Sequence, residues 1–428
     1  MGLNDRRLIA HPRRPTAARS QTALFRGDFS VLVAASAVAL LPLLRPGGPG
    51  NTAPVDLAIG LALALGIFAA VTSGTKWRFP YAFPMVLFLT GGAIGALAGP
   101  VPTSGITALA QDIILLAWCW LVVNICRSSH GLRVLLWTWA YSSVVWAALL
   151  FFALATNTGA LSGRTAKDAS RTMLTFGDPN VCANYIFMSI MIIWAAQRPR
   201  RAPYRIGAYA LLIAALVTTG SNSGILSLLV GGSVAALLGV YRRGGIVPVA
   251  TMIAFLTLGG YLIATNLNFA SIQSKAQASH YAFIRDGIGR GQTSVSQRSS
   301  ILGESLQLYR GGGALGAGPV STKTRLHEEQ APFVKEAHDD YLAALTERGV
   351  LGLIGIALLI GTIAGNALSG LRPLTSGDAS AIVRPNAIAG AIVGTFLAMA
   401  VVELLHVRHV WTLFALVAAL ALQRREQR

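Results

Sequence analysis

Apolar runs of about 15–23 residues recur along this chain, separated by short stretches of Gly, Pro and charge. A membrane-crossing helix needs about 20 mostly apolar residues, so the pattern predicts an all-α, polytopic transmembrane bundle of about twelve spans. The runs lie at 29–45, 55–73, 80–99, 107–126, 133–155, 180–197, 204–220, 223–241, 246–265, 349–369, 385–403 and 409–423. Pro42 interrupts the first, and the seventh and eighth meet at Gly220-Ser221-Asn222-Ser223-Gly224. One interval breaks the rhythm: about 70 residues, from Asn266 to His338, carry no such run. The expected organisation is therefore a basic tail (1–28), spans 1–9 (29–265), a large loop with short helices (266–348), spans 10–12 (349–423) and a short tail (424–428).

Composition agrees. Of 428 residues, 54% are hydrophobic and 12% charged, against about 25% charged in soluble domains. The net charge of +18 would fit a nucleic-acid binder until its residues are located. Counted from a cytoplasmic N-terminus, 21 of the 35 Lys and Arg fall in the tails and in one alternate set of loops. The short loops of the other set hold few, chiefly Arg45 and Arg408. The inside bias of basic residues then predicts both termini in the cytoplasm, and most of the charge reports topology rather than a nucleic-acid partner. The run after the tail lacks a small-residue cleavage site and reads as an uncleaved span.

On this topology the two longest loops, 156–179 and 266–338, lie outside the membrane, away from ATP. Their basic residues escape the inside bias, so they are candidates for handling an anionic substrate. They include Arg164, Lys167 and Arg171 in the first, and Arg285, Arg290, Arg298, Arg310, Lys323, Arg325 and Lys335 in the second. An Arg presents a planar fork that matches phosphate oxygens. The same residues serve equally as solvated charges attracted to anionic headgroups. His338 opens the helical segment Ala337–Arg348, where a neutral imidazole can take a proton from a hydroxyl. Asp339 or Asp340, if close, would orient it. Asp178-Pro179-Asn180 reads as a turn and helix start, and residues 301–309 as a short amphipathic surface helix. The glycine run 311–318 lacks the Gly-Lys-Ser/Thr of a nucleotide loop. Cys119, Cys126 and Cys182 sit in apolar runs and suggest packing, not a disulfide framework.

Taken together, four segments resemble the O-antigen ligase and polymerase-like family of bacterial glycan-assembling membrane enzymes. They are Phe176-Gly177-Asp178-Pro179-Asn180, the 220–224 junction, Arg298 followed by the Gly316-Ala317-Gly318 turn, and His338-Asp339-Asp340-Tyr341-Leu342 running into Glu347-Arg348-Gly349 and Leu351-Gly352-Leu353. The match covers about residues 165–370. Two departures stand out: Asn222 replaces the junction Arg, for which Arg171, Arg285 or Arg290 would have to substitute, and Asp339 replaces an Asn.

The resemblance implies a GT-C-like bundle in the bacterial inner membrane that transfers a glycan outside the membrane. The donor would be polyprenyl-(pyro)phosphate-linked and the acceptor a glycan or lipid hydroxyl, with membrane lipids as surroundings. It implies His338 as general base and Arg298 on the leaving phosphate. Arg171, Asn180, Ser221, Asn222, Arg285, Arg290, Asp339 and Tyr341 would contact phosphate or glycan. No metal and no cofactor are expected. The rival class is a transporter of an anionic or glycolipid substrate, which would need ionisable groups at mid-membrane depth; Asp56, Asp112 and Glu403 read as lying near span ends.

Overall fold

The computed structural model describes residues 21–45, 52–73, 77–164, 171–266, 314–328, 339–371 and 381–426, with isolated positions between 271 and 310. Every described segment of regular structure is helical. Five helices come first: α1 (Gln21–Ala39), α2 (Pro54–Ser73), α3 (Ala82–Ala98), α4 (Pro102–Cys126) and α5 (Ser129–Ala155). The one-turn α6 (Gly159–Ser162) precedes α7 (Pro179–Ala196), α8 (Ala202–Thr218), α9 (Asn222–Gly244) and α10 (Ile246–Asn266). After the long interval come α11 (Thr322–Glu328), α12 (Asp340–Gly370), α13 (Pro385–Met399) and α14 (Arg408–Glu426).

Each of the twelve apolar runs carries a helix. Among the described residues, six of these (α2, α4, α5, α7, α9 and α12) are long and apolar enough to cross a membrane. The first run differs from expectation: its helix starts at Gln21 and ends at Ala39, just before Pro42. Pro cannot donate an amide hydrogen to a helix interior, so the chain turns there. Of the expected 301–309 helix, Gly303, Gln307 and Tyr309 are described and helical.

Local signals set the other boundaries. The Ser128, Asp178, Ser221 and Asp339 side chains accept first-turn amides at the starts of α5, α7, α9 and α12, which satisfies donors that a helix leaves open. Pro102, Pro179 and Pro385 occupy first turns, where their missing N–H costs nothing.

The centre of the bundle is α7 and α14. All but two residues of α7 are buried, and so is every residue from His409 to Ala421. Side-chain hydrogen bonds tie these two helices to their neighbours: Trp118 Nε1 to Thr412 Oγ1 (2.9 Å), Trp139 Nε1 to Ser189 Oγ (3.0 Å) and the Tyr81 hydroxyl to the Phe414 carbonyl (2.9 Å).

The bundle has two chemically distinct ends. At one, Arg127 pairs with Glu426 (2.5 Å), the Gln423 amide donates to the Cys126 carbonyl (2.7 Å) and Arg424 to the Ser369 carbonyl (3.0 Å). At the other, Arg408 grips Asp56 through Nε (2.8 Å) and Nη2 (2.5 Å), and the Leu44 amide donates to Thr175 Oγ1 (2.8 Å). Loops that the charge count puts on one side thus meet one another, and never their opposites, in these contacts.

Candidate functional site at the Asp56–Arg408 end

The α8–α9 junction is built from the α5–α7 loop as well as from its own residues. Gly220 turns the chain at φ 58°, and Ser221 then caps α9. Asp178 accepts the amides of Asn180 (2.6 Å) and Val181 (3.3 Å), so α7 begins beside it. Asn180 Oδ1 accepts from Ser221 Oγ (2.8 Å) and from Arg171 Nη2 (3.3 Å), while Arg171 Nε donates to the Thr219 carbonyl (2.8 Å). Three residues singled out in the sequence, Arg171, Asn180 and Ser221, are therefore in direct contact. Asn222 stands exposed beside them as the first residue of α9. The guanidinium of Arg45, which the motifs did not flag, lies against Gly177: a Cβ built there would be 3.2 Å from its Nη2. Arg171 thus lies at the start of α9 and Arg45 beside the loop that opens α7, and arginines at helix N-termini are suited to an anion.

A second cluster forms around the start of α12. Asp339 Oδ1 accepts the amides of Tyr341 (2.8 Å) and Leu342 (3.2 Å). Burial raises the Asp339 carboxyl above its ordinary value, against the pull of those two amides. Asp340 is committed elsewhere: its two oxygens accept the Leu404 (2.8 Å) and Leu405 (3.1 Å) amides. The Tyr341 hydroxyl donates to the Phe396 carbonyl (2.7 Å).

Gly349 breaks α12 at φ 65°, ψ −161°. Into that break fits the Gly316-Ala317-Gly318 turn. The Ala317 and Gly318 amides donate to the Thr346 (2.9 Å) and Glu347 (2.8 Å) carbonyls, and the Val350 amide to Ala314 (2.9 Å). Glu347 completes the joint by accepting from the Val320 amide (2.9 Å) and Thr322 Oγ1 (2.7 Å). Two motifs that look independent in sequence are thus the two halves of one contact.

Beneath this joint, Arg348 Nη2 pairs with Asp112 Oδ2 at 2.6 Å, and its guanidinium carbon sits 4.0 Å from the Phe88 ring centre. Both charged residues are buried. Arg348 Nη1 has no hydrogen-bond partner among the described residues. The pair lines a cavity of about 520 Å³ whose wall includes Thr107, Gln111, Glu403 and His406. Sequence reasoning quoted Arg348 in the Glu347-Arg348-Gly349 motif without giving it a role, and took Asp112 for a span-end acid, although it lies ten residues into α4. One signal was available: Gly91, Gly92, Gly95 and Gly99 place backbone-sized positions along α3, where a Cβ would strike the Arg348 carbonyl, Arg348 Nη1, the Glu347 carbonyl and the Ala317 carbonyl respectively.

The α13–α14 loop joins the two clusters. Its Leu404 and Leu405 amides hold Asp340. A few residues on, His409 Nε2 lies 3.1 Å from Asn184 Oδ1, with its ring edge-on to Phe176 and Tyr185. Phe176 precedes α7 and Asn184 lies in its second turn, so the Phe-x-x-Pro-Asn pattern packs on a histidine that the motifs did not include. Arg285, Arg290, Arg298 and His338 lie outside the described residues.

A multi-pass helical membrane protein with a polar, arginine-bearing site at one end is the class that these features define. Residues 207–357, 151 of the chain's 428, match the family model described as O-antigen ligase, and over this segment the chain is O-antigen ligase-like. The matched segment contains both the α8–α9 junction and the Gly349 joint. Among curated proteins, none matches the chain.

Proposed function

We propose that this protein transfers a glycosyl group from a polyprenyl-(pyro)phosphate-linked glycan to an acceptor hydroxyl, in ligase- or polymerase-type assembly of a cell-surface polysaccharide. The observation that carries this reading is the O-antigen ligase match over 207–357, which joins two polar clusters at the same end of the bundle. In the reaction, the acceptor oxygen attacks the anomeric carbon and its proton passes to His338. The bond to the donor phosphate breaks, and the electron pair leaves with the phosphate, where Arg298 and a second Arg stabilise the developing charge. Arg171 is the best-supported second Arg, because its guanidinium spans Thr219 and Asn180 at the junction where Asn222 departs from the family pattern. The cavity beside Arg348 is suited to the acceptor, since its polar walls carry Thr107, Gln111 and Glu403 rather than a row of arginines. The site would face outward, with both termini in the cytoplasm.

A transporter of an anionic or glycolipid substrate is the second reading. The buried Asp112–Arg348 pair favours it, because ionisable pairs inside a bundle are a feature of substrate pathways. One assay separates the two. Protein reconstituted with a lipid-linked glycan and an acceptor should yield glycosylated acceptor and free polyprenyl (pyro)phosphate, and His338→Ala should abolish both. Movement of intact glycolipid across the bilayer without bond cleavage would establish transport instead.

A further inference from the structure

The opposite end of the bundle, where Arg127 meets Glu426, carries a second basic site that the glycosyl-transfer reading does not use. A cavity of about 390 Å³ lies between the end of α9 and the start of α13, bounded by Arg242, Arg243, Arg384, Asn386 and Trp194. Its walls are held firmly. The Val383 and Arg384 backbone amides both donate to the Ala195 carbonyl (2.9 Å each), and the Asn386 side-chain Nδ2 donates to the Ala235 carbonyl (2.6 Å). Among the described residues, the guanidiniums of Arg242, Arg243 and Arg384 have neither a hydrogen bond nor an ion pair. The α13 N-terminus beside them has no side-chain cap, which adds the positive end of a helix to the three guanidinium charges.

An inside bias of arginines explains their number at this end. It does not explain why three of them, from two separate segments, converge on one cavity with no acid among the described residues that line it. Nor does it explain what continues from it. A second cavity of about 530 Å³ shares Trp194 and Arg384 with the first and runs along α8 past Arg205, Ile206, Tyr209 and Ile213. Ile206 and Ile213 are exposed on this apolar helix. A basic pocket opening into an apolar groove on a membrane helix has the shape and polarity of an anionic lipid: headgroup phosphate among the arginines, acyl chain along α8. A free phosphate ion would have no use for the groove.

The geometry points to a binding site for an anionic phospholipid at Arg242, Arg243 and Arg384, with one acyl chain lying against Ile206 and Ile213. This site is independent of the reaction at the other end.

The test uses the full-length protein in detergent, with native mass spectrometry to count bound lipid and thermal unfolding to measure its effect. Phosphatidylglycerol should bind and raise the unfolding temperature, and phosphatidylcholine with the same acyl chains should do neither. Arg242→Ala/Arg243→Ala/Arg384→Ala should weaken phosphatidylglycerol binding at least tenfold. The control Arg200→Ala/Arg201→Ala, which removes charge from the neighbouring α7–α8 loop, should change it less than twofold. Ile213→Trp, which narrows the groove, should weaken binding with all arginines in place. Equal loss in the control would reduce the effect to general surface charge, and equal binding of phosphatidylcholine would remove the arginines from it. Stabilisation by inorganic phosphate alone, insensitive to Ile213→Trp, would make it a free-anion site. Any of these three results overturns the proposal.

Discussion

Arg348 and Asp112 are 236 residues apart in sequence and 2.6 Å apart in the structure, both buried beneath the break in α12. Removing one member of such a pair leaves a buried charge without its partner, which costs about 3–5 kcal/mol, whereas replacing both with apolar residues is often neutral. Arg348→Met and Asp112→Leu should each lower the unfolding temperature of the purified protein sharply, and Asp112→Leu/Arg348→Met should recover most of the loss. Additive losses in the double variant would mean that the two side chains act independently.

The joint between Gly349 and the Gly316-Ala317-Gly318 turn makes a second prediction. A Cβ at Gly349 would sit 2.2 Å from the Ala314 carbonyl oxygen, on a backbone at φ 65°. Left-handed backbone alone costs a non-Gly residue about 1 kcal/mol or more, and here the collision adds to it. Gly349→Ala should therefore displace the turn and abolish transfer while the protein still inserts. Gly361→Ala, also in α12 but with open space around it, should be silent. Full activity in Gly349→Ala would separate the joint from function.

At the junction, Arg171 bonds to the Thr219 carbonyl and to Asn180, and on the proposed reading it supplies the phosphate contact for which Asn222 has no guanidinium. Losing a donor aimed at developing negative charge lowers turnover by about 10²–10³-fold in well-studied enzymes. Arg171→Ala should fall in that range, and Arg171→Lys should stay well below wild type because an ammonium lacks the planar fork. Adding Asn222→Arg to Arg171→Ala should restore a measurable part of the rate. If that second change gives no rescue, the two positions are not alternative supports for one phosphate.

Sidedness can be read with single cysteines, because Cys119, Cys126 and Cys182 are all buried and give little background. Thr103 and Arg201 are both exposed, at opposite ends of the bundle. In intact cells a membrane-impermeant thiol reagent should label Thr103→Cys. It should label Arg201→Cys only after permeabilisation. The reverse pattern would turn the topology over and place the candidate site in the cytoplasm.

Much of the helical framework was legible because apolar run length is set by the membrane and needs no knowledge of packing. The start of α7 was visible too, in Asp178-Pro179-Asn180, and the turn before α9 in Gly220-Ser221-Asn222-Ser223-Gly224, since caps and turns are local chemistry; that Ser221 itself caps α9 was not read. The pairing of Arg348 with Asp112 was not, because it joins distant segments: Arg348 stood in the Glu347-Arg348-Gly349 motif, but nothing in the sequence pointed from there to Asp112. Phe176 was noted within its motif, but its partner His409 lies in the last helix, where a lone histidine in an apolar run carries no signal. The glycines of α3 were readable as a stripe of small residues, yet the stripe alone does not say which backbone will approach it. Asp340 shows the opposite limit: its position beside His338 suggested a role in orienting that residue, whereas its oxygens are taken by the Leu404 and Leu405 amides.

On the proposed reading, the Asp56–Arg408 end of this bundle breaks the bond between a glycan and its lipid phosphate. The most direct measurement is the pool of lipid-linked glycan in cells carrying His338→Ala, Arg298→Ala or Arg171→Ala, at matched membrane expression. All three variants should accumulate the glycan still joined to its polyprenyl carrier, with loss of the mature surface polysaccharide. Unchanged glycan pools in all three, with the protein inserted, would contradict the claim.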